Sequence, residues 1–298
     1  MRVLMTGATG LIGRRLVPML QDRGHDVVAL VRPGREADVG AEPFTHDLMN
    51  PLDASRLPRV ECVVHLAAHP HIHFPAHALE LYRLNASATL ELLEAARRLS
   101  VERFVLASTG GVYGFADEAR REDDPTHAHD YYALTKLHGE ALVDVYATHF
   151  ATSVLRPFFP YGPGQQRDRL VPRLADAIAR DDAVTIREDG GPLLNPIYVE
   201  DAAAAVAAAS EGRAPAILNI AGLEVVSIAA LAEAVGEIVG RAARFELNDK
   251  APGGGLVGDV ARLREVLGDH EFTPLQSGLR KALADRASDT RQRSASQA

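Results

Sequence analysis

The segment YYALTK contains a tyrosine and a lysine, Tyr132 and Lys136, whose types and spacing suit proton transfer. Four residues apart on a predicted helix, their side chains lie on one face. A phenol with an ordinary pKa of about 10 is a weak base at neutral pH, but a neighbouring ammonium favours the phenolate and lowers that pKa. Upstream, the predicted strand RFVLAS leads into Ser108 and Thr109, and a hydroxyl there would reach the same substrate oxygen. The pattern predicts acid–base catalysis; the alternative is an ordinary surface pair on a helix.

A second chemical signal is the glycine-rich stretch TGATGLIG, which follows the first predicted strand. Gly7, Gly10 and Gly13 are evenly spaced, and the predicted helix LIGRRLVPMLQDRG follows them. Such a turn lets a pyrophosphate approach the backbone at the positive end of a helix. The stretch therefore predicts a dinucleotide site, with a purely structural turn as the alternative because the spacing differs from Gly-x-Gly-x-x-Gly.

The end of the second predicted strand bears on the choice of cofactor. An NAD site usually has an acidic residue there, which holds the ribose hydroxyls. Here DVVALVRPGRE has Val31 and Arg32 at that place and Arg35 close by. Because a guanidinium suits a 2′-phosphate, we expect NADP rather than NAD, unless the arginines are merely solvated loop charges.

The elements that must position these groups alternate between strand and helix through the first half of the chain. This alternation predicts an α/β fold of the Rossmann type, a doubly wound parallel sheet, with a smaller C-terminal α/β lobe for the substrate. We expect a dinucleotide-binding domain over residues 1–160, completed by about 196–221. Residues 161–195 and 222–285 would form the substrate lobe, and 286–298 a mobile tail.

Composition limits the other possibilities. The chain has 298 residues, 47% of them apolar, and a formal net charge of −8, which argues against a nucleic-acid partner. The sequence has no apolar run of membrane-spanning length and no secretory signal, so we expect a cytoplasmic protein. Its single cysteine, Cys62, excludes an intramolecular disulfide and precedes the apolar run VVHLAA, so we expect a buried structural thiol.

In its motifs the chain resembles the extended short-chain dehydrogenase/reductases, in the nucleotide-sugar epimerase/dehydratase branch. The matching segments cover most of the chain in the family's order: TGATGLIG, HDL, VVHLAA, NASATLELLEAA, STGGVYG, YYALTK, LRPFFPYGPG and NPIYVEDAA. The resemblance implies that Tyr132 is the acid/base, Lys136 binds the nicotinamide ribose, and Thr109 rather than Ser108 is the partner hydroxyl. It also implies a homodimer formed through helices within residues 79–98 and 131–149.

The same resemblance implies the remaining site residues. Those expected at the cofactor are Gly7, Thr9, Gly10, Leu11, Ile12, Gly13, Arg32, Asp47, Leu48, Leu66, Ala67 and Ala68, besides Tyr132 and Lys136. Asp47 and Leu48 would flank the adenine. Those expected at the substrate are His69, Thr109, Gly110 and Phe159.

The chain departs from the family pattern near the substrate. Dehydratases have an acidic pair after the catalytic hydroxyl, where this chain has Gly110 and Gly111, which argues against a sugar 4,6-dehydratase. Phe159 stands where diphosphate-binding members often have asparagine. A basic residue is also missing before NPIYVED, and an arginine is missing from APGGGLVGD. The arginines at 156, 167, 169 and 173 are the candidates to replace them.

The segment HLAAHPHIHFPAH holds five histidines, His65, His69, His71, His73 and His77. Alternate histidines on an extended segment could bind a metal. We instead expect a loop over the cofactor without a metal, with His69 nearest to the substrate.

Two reactions fit these residues: 4-epimerisation of a nucleotide sugar with the cofactor recycled in place, and net reduction of a keto-sugar. A reductase of a small carbonyl compound without a nucleotide is the alternative within the same chemistry. From another class, a dinucleotide-binding sensor without catalysis would not need the Tyr132–Lys136 pair or a placed hydroxyl. The sequence therefore favours an enzyme.

Overall fold

A computed structural model describes residues 1–71, 74–248 and 254–284. The strands are β1 (Arg2–Thr6), β2 (Asp26–Val31), β3 (Glu42–Thr45), β4 (Cys62–His65), β5 (Arg103–Ala107), β6 (Ala151–Pro157), β7 (Val184–Ile186), β8 (Leu193–Leu194), β9 (Ile217–Ile220), β10 (Val226–Ser227), β11 (Phe245–Leu247) and β12 (Gly255–Leu256). The helices are α1 (Gly13–Asp22), α2 (Ala78–Tyr82), α3 (Ala88–Leu99), α4 (Tyr131–Tyr146), α5 (Leu170–Ala179), α6 (Val199–Ser210), α7 (Ile228–Val239), α8 (Ala261–Leu267) and α9 (Leu275–Ala282).

The central sheet is parallel, with the strand order β3-β2-β1-β4-β5-β6-β9. This is the order of a doubly wound dinucleotide-binding sheet with one further strand, so the predicted fold class is confirmed. The order reverses at β1, and the crevice beyond the carboxyl ends of the strands is where ligands bind in such sheets.

Helices cover both faces of the sheet, because successive side chains of a strand point to opposite sides. In β1, Val3 and Met5 pack against α1, α6 and α8, whereas Leu4 packs on the other face with residues of α3 and α4. The alanine-rich helix α6 is buried along nearly its whole length, which its small side chains permit.

A separate apolar cluster lies in the second half of the chain, where α5, α7 and α9 pack with β7. The side chain of Ser227 accepts a hydrogen bond from the Ala230 amide, as expected of a helix cap. Two small sheets accompany this cluster, β10-β8-β12 and β11-β7. The division into a cofactor domain and a substrate lobe stays a prediction, and the tail predicted at 286–298 lies outside the described residues.

Candidate active site

The glycine turn between β1 and α1 is a place of close backbone contact. Gly7 has φ +74°, and a Cβ there would lie 2.7 Å from the Ala67 amide nitrogen. A Cβ on Gly13 would overlap the carbonyl oxygen of Gly7. The close approach predicted from the sequence is therefore made by the protein's own backbone at two of the three glycines.

Gly10 differs from the other two glycines, because it is exposed and a Cβ there would meet, among the described residues, the Gly7 carbonyl oxygen alone, at 3.0 Å. Its amide donates to that oxygen at 2.9 Å. Thr9, Leu11 and Ile12 flank it at the start of α1, where the first amides of a helix have no intrahelical partner. The turn thus presents Gly10 and a helix N-terminus to the crevice, which fits a pyrophosphate.

The other residues expected at the cofactor follow the carboxyl ends of neighbouring strands. Arg32 is exposed directly after β2, whereas Arg35 pairs with Asp38. Asp47 follows β3, and its Oδ1 accepts the Met49 amide at 3.0 Å. The buried Leu48 stands beside it, and Leu66, Ala67 and Ala68 follow β4. The parallel sheet brings all of these residues to one edge, so they fit a bound dinucleotide.

The ends of β1 and β4 are joined by side chains. The Thr6 hydroxyl lies 2.7 Å from His65 Nδ1, and it accepts the Ala67 amide at 3.2 Å. Burial, together with the charge of Lys136, lowers the pKa of His65 to about 3. His65 is therefore neutral and belongs to the frame of the sheet rather than to the histidine loop.

Lys136 and Tyr132 lie on α4, which packs along the sheet beside β5 and β6. The Lys136 ammonium donates to the Ala107 carbonyl oxygen at 2.8 Å, and only 2% of the residue is exposed. Burial lowers its pKa to about 8, while the carboxylate of Glu140 acts to raise it.

The expected effect of Lys136 on Tyr132 is not realised in this structure. Burial raises the pKa of Tyr132 to about 12, against the charge of Arg169, and Lys136 is not among the groups that shift it. The physical reason is that the amine points to the carboxyl end of β5. The two side chains share a face of α4, but Arg169 is the cation that acts on the phenol.

Thr109 begins a short 3-10 turn, Gly110–Tyr113, directly after β5 and Ser108. Its hydroxyl accepts the Gly111 amide at 3.2 Å, which caps the turn. A Cβ on Gly110 would lie 2.6 Å from the Phe158 ring, and one on Gly111 would lie 2.9 Å from the His129 ring. Any contact of Gly110 with a substrate is therefore made by its backbone. An acidic pair at Gly110 and Gly111 would collide with the rings of Phe158 and His129.

His129 was not found from the sequence, although it lies beside this turn. Its Nδ1 donates to the Gly111 carbonyl oxygen at 2.9 Å, and its Nε2 lies 3.2 Å from Asp130. The hydrogen bond to Asp130 raises the pKa of His129. His129 lies only two residues before Tyr131 and Tyr132. That position, next to the predicted catalytic tyrosine, was the signal in the sequence that could have identified it.

The histidine loop lies between the starts of α4 and α5. The rings of His69, His71 and His77 stand 5.1–5.8 Å apart, and His69 Nδ1 donates to the His71 carbonyl oxygen at 2.7 Å. His73 lies outside the described residues. Within the described part of the chain, His, Cys, Asp and Glu form no group of three arranged to hold a metal.

Two contacts fasten this loop to the rest of the site. The Pro70 carbonyl oxygen accepts from Arg169 Nη2 at 2.8 Å, and the ring of Phe74 lies 5.0 Å from that of Tyr131. The loop therefore reaches both the helix of Tyr132 and the segment that carries Arg169.

The arginines considered for a diphosphate lie in different surroundings. Arg156 is buried and bonded to Glu140, so it is not free to bind a diphosphate. Arg167 and Arg173 are exposed. Phe159 adopts φ +46°, a conformation that asparagine takes more readily than phenylalanine.

The scarcity of lysine is a further signal in the sequence. The chain has 32 lysines and arginines together, and only Lys136, Lys250 and Lys281 are lysines. Of the two that the structure describes, Lys136 is the buried one, and unlike the buried Arg156 it can lose its proton.

Taken together, the fold and this site define a nicotinamide-dependent enzyme of the extended short-chain dehydrogenase type. The model of the NAD dependent epimerase/dehydratase family matches residues 3–221. The chain belongs to that family.

Several relatives share nearly the whole length of the chain. One is 30% identical over 95% of this chain and 97% of its own length, an uncharacterized UDP-glucose epimerase, YtcB, from Bacillus subtilis. A dTDP-4-dehydro-6-deoxy-D-allose reductase from Streptomyces is 31% identical, with 93% of each chain covered.

Solved structures that are similar to this chain belong to the same class of protein as these relatives. MoeE5 in complex with UDP-glucuronic acid and NAD is 32% identical, with a TM-score of 0.82 over 99% of this chain and 100% of that one. A UDP-glucuronic acid 4-epimerase from Bacillus cereus, in complex with UDP-glucuronic acid and NAD, is 27% identical, with a TM-score of 0.83 over 98% and 99%. The expectation of an enzyme rather than a sensor is therefore confirmed.

Among the described residues, none of the helices combines the length and the apolar character needed to cross a bilayer. The cytoplasmic location stays a prediction.

Proposed function

We propose that this protein transfers hydride between a nicotinamide and an alcohol or ketone carbon of a nucleoside-diphosphate sugar. The observation that carries the proposal is the placement of Thr109, Tyr132 and Lys136 at the carboxyl edge of the sheet that also presents the glycine turn. Relatives that cover the whole chain act on nucleotide sugars by their names, which supports this substrate class.

In this mechanism Tyr132 exchanges a proton with the substrate oxygen while Thr109 hydrogen-bonds the same oxygen. Lys136 lies deeper and would hold the ribose next to the nicotinamide. The bound nicotinamide supplies the hydride acceptor or donor. The charge of Arg169 acts to lower the pKa of Tyr132 against the effect of burial, and it therefore favours transfer of the phenol proton.

The direct test is Tyr132→Phe, with Tyr131→Phe as the matched control. Tyr131 is the adjacent tyrosine, and its hydroxyl donates to the Ala78 carbonyl oxygen at 3.1 Å. We expect Tyr132→Phe to lower kcat about 100-fold or more with the NAD affinity retained, since a positioned acid/base contributes roughly that much. Full activity of this variant would show that another group is the acid/base and would overturn the role proposed for Tyr132.

The reaction itself is either epimerisation at C4 or reduction of a keto-sugar. The relatives include an epimerase and a reductase by name, and both fit the same three residues. The absorbance of the reduced nicotinamide distinguishes the two. An epimerase converts UDP-glucose with no net change, whereas a reductase consumes one reduced cofactor for each keto-sugar. Consumption with a small carbonyl compound alone would favour the non-nucleotide alternative.

Elimination is the reaction that the site disfavours. The rings of Phe158 and His129 fill the space into which an acidic pair at Gly110 and Gly111 would project. We therefore expect no 4-keto-6-deoxy product from a nucleotide sugar, which product analysis by mass spectrometry would check.

For the cofactor, we propose that Arg32 gives the site an affinity for the 2′-phosphate of NADP. Its exposed position after β2, where an acidic residue would favour NAD, supports this proposal. Titrations of wild type and Arg32→Ala with each cofactor test it. We expect the variant to lose affinity for NADP alone, and an NADP affinity that is weak in both proteins would overturn the preference.

We also propose a homodimer through the surface of α2, α3 and α4. The rings of Tyr82 and His138 meet across α2 and α4 at 5.7 Å. Leu79 is 83% exposed and Val145 69% exposed on this surface. Light scattering of wild type and Leu79→Arg tests the proposal, with a dimer expected only for wild type.

A further inference from the structure

Behind the proposed catalytic residues, a buried network of charged and polar side chains surrounds Glu140. This residue lies one turn after Lys136 on α4 and is 7% exposed. The Ser108 hydroxyl donates to Glu140 Oε1, and Arg156 Nη2 donates to Oε2 at 2.6 Å. Glu140 thus contacts the residue before Thr109 in the buried interior behind the turn.

The network continues away from the site through Arg156. Arg156 Nη1 donates to the Tyr113 hydroxyl at 2.6 Å, and that hydroxyl donates to Asn219 Oδ1 at 2.9 Å. The backbone amide of Asn219 donates to Glu122 Oε1 at 3.0 Å. These bonds connect the 3-10 turn after β5 with β6 and β9, so the turn is held from behind by bonds to several elements.

Among the residues of this buried network, Glu140 has the largest effect on the charges around Lys136. From β4, the neutral His65 lies near Lys136, and on its own helix the carboxylate of Glu140 acts on it from one turn further along. Arg156 lies on the far side of that carboxylate, on β6. One anion therefore stands between two buried cations, and its removal would leave both of them without compensation.

We propose that Glu140 is a positioning residue of the active site. Its hydrogen bond to Ser108 fixes the turn that carries Thr109, and its charge keeps Lys136 protonated. The inference rests on the proposed function for the roles of Thr109 and Lys136, whereas the charge effect concerns the protein without its cofactor.

The scarcity of lysine permits a direct measurement of that charge effect. Protein labelled with ¹³C at the lysine Cε has three lysine signals, which Lys250→Arg and Lys281→Arg would assign. In the wild type we expect the Lys136 signal to titrate near pH 8. In Glu140→Gln it should titrate lower by about one pH unit or more, since a nearby charge shifts a buried pKa by that amount. In Glu140→Asp, which keeps the charge, it should stay near the wild-type value.

Tyr113→Phe is the matched control, because it breaks the same network without removing a charge. We expect it to lower the melting temperature and to leave the Lys136 titration unchanged. If Glu140→Gln behaved in the same way as Tyr113→Phe, the role of Glu140 would be structural only and the inference would be wrong.

The positioning effect is measured by kinetics. Ser108→Ala and Glu140→Asp both disturb the bond to the turn, and we expect each to lower kcat about 10-fold with little change in KM, because a small misplacement of a catalytic group is costly. If Glu140→Gln does not fold, these two variants decide the question, and wild-type kcat in both would overturn the proposal. The lysine titration needs no turnover, so it still stands if an active Tyr132→Phe disproves the proposed function.

Discussion

Replacing Lys136 by methionine should stabilise the protein without cofactor at neutral pH while it abolishes activity. Lys136 is 2% exposed, and its pKa is about 8 instead of 10.5. Below pH 8 the amine is protonated in the folded and in the unfolded chain, so the folded protein bears the full cost of a buried charge. Methionine has a similar length and no charge, and it removes that cost.

The magnitude follows from the two pKa values. The difference between 10.5 and about 8 corresponds to about 3 kcal/mol of the free energy of unfolding. Loss of the hydrogen bond to the Ala107 carbonyl oxygen takes away about 1 kcal/mol. We therefore expect Lys136→Met to be more stable than wild type by about 2 kcal/mol at pH 7.

The sign of the pH dependence is fixed by the direction of the shift. Between pH 8 and 10.5 the folded wild type loses its proton while the unfolded chain keeps it, so the wild type becomes more stable relative to the variant. At pH 10.5 the remaining cost of the charge is smaller than about 1 kcal/mol, so the lost hydrogen bond should make the variant equal to wild type or slightly less stable.

Urea unfolding of both proteins at pH 7 and pH 10.5 measures these differences. Lys281→Met serves as the control, because Lys281 is exposed and its replacement should change the stability little at either pH. If Lys136→Met were less stable than wild type at pH 7 by the same amount as at pH 10.5, the assignment of a strained buried ammonium would be refuted.

Three further predictions concern residues around the cofactor and the catalytic turn. Gly7→Ala should lower the free energy of unfolding by about 2 kcal/mol or more and weaken NAD binding, because Gly7 has a positive φ and its neighbour is backbone. Gly24 also has a positive φ but open surroundings, so Gly24→Ala should cost only about 1 kcal/mol in urea unfolding. Gly110→Ala should destabilise the protein by about 1–3 kcal/mol through overlap with the Phe158 ring, and Phe158→Leu in the same chain should restore part of the loss if that overlap is the cause. Cys62 should not react with a thiol reagent in the native protein, because burial raises its pKa to about 12, and rapid labelling before unfolding would contradict its place in β4.

Local sequence patterns predicted much of this structure. The glycine turn, the alternating elements and the pair on α4 depend on neighbours in the chain, so the spacing of residues was enough to predict them. β3 was missed because it is an edge strand of four residues that contains Pro43, and edge strands tolerate proline.

What the sequence could not predict concerns side chains whose direction depends on distant parts of the chain. The sequence placed Lys136 and Tyr132 on one face of a helix, but it could not show that the amine would bond to the end of β5. Nor could it show that Phe158 and His129 would fill the space beside Gly110 and Gly111. Such contacts join residues tens of positions apart, so the spacing of residues along the sequence does not predict them.

The contact between Gly7 and Ala67 joins two segments that are both expected at the dinucleotide, and the second of them continues into the histidine loop. The phosphate turn and the start of the histidine loop meet there main chain against main chain, with no intervening side chain to yield. Three residues further on, Arg169 Nη2 donates a hydrogen bond to the Pro70 carbonyl oxygen of the same loop. A substitution that pushed the glycine turn outward would therefore also displace the backbone that leads to the Arg169 contact, so damage on the phosphate side of the crevice would reach the segment beside Tyr132.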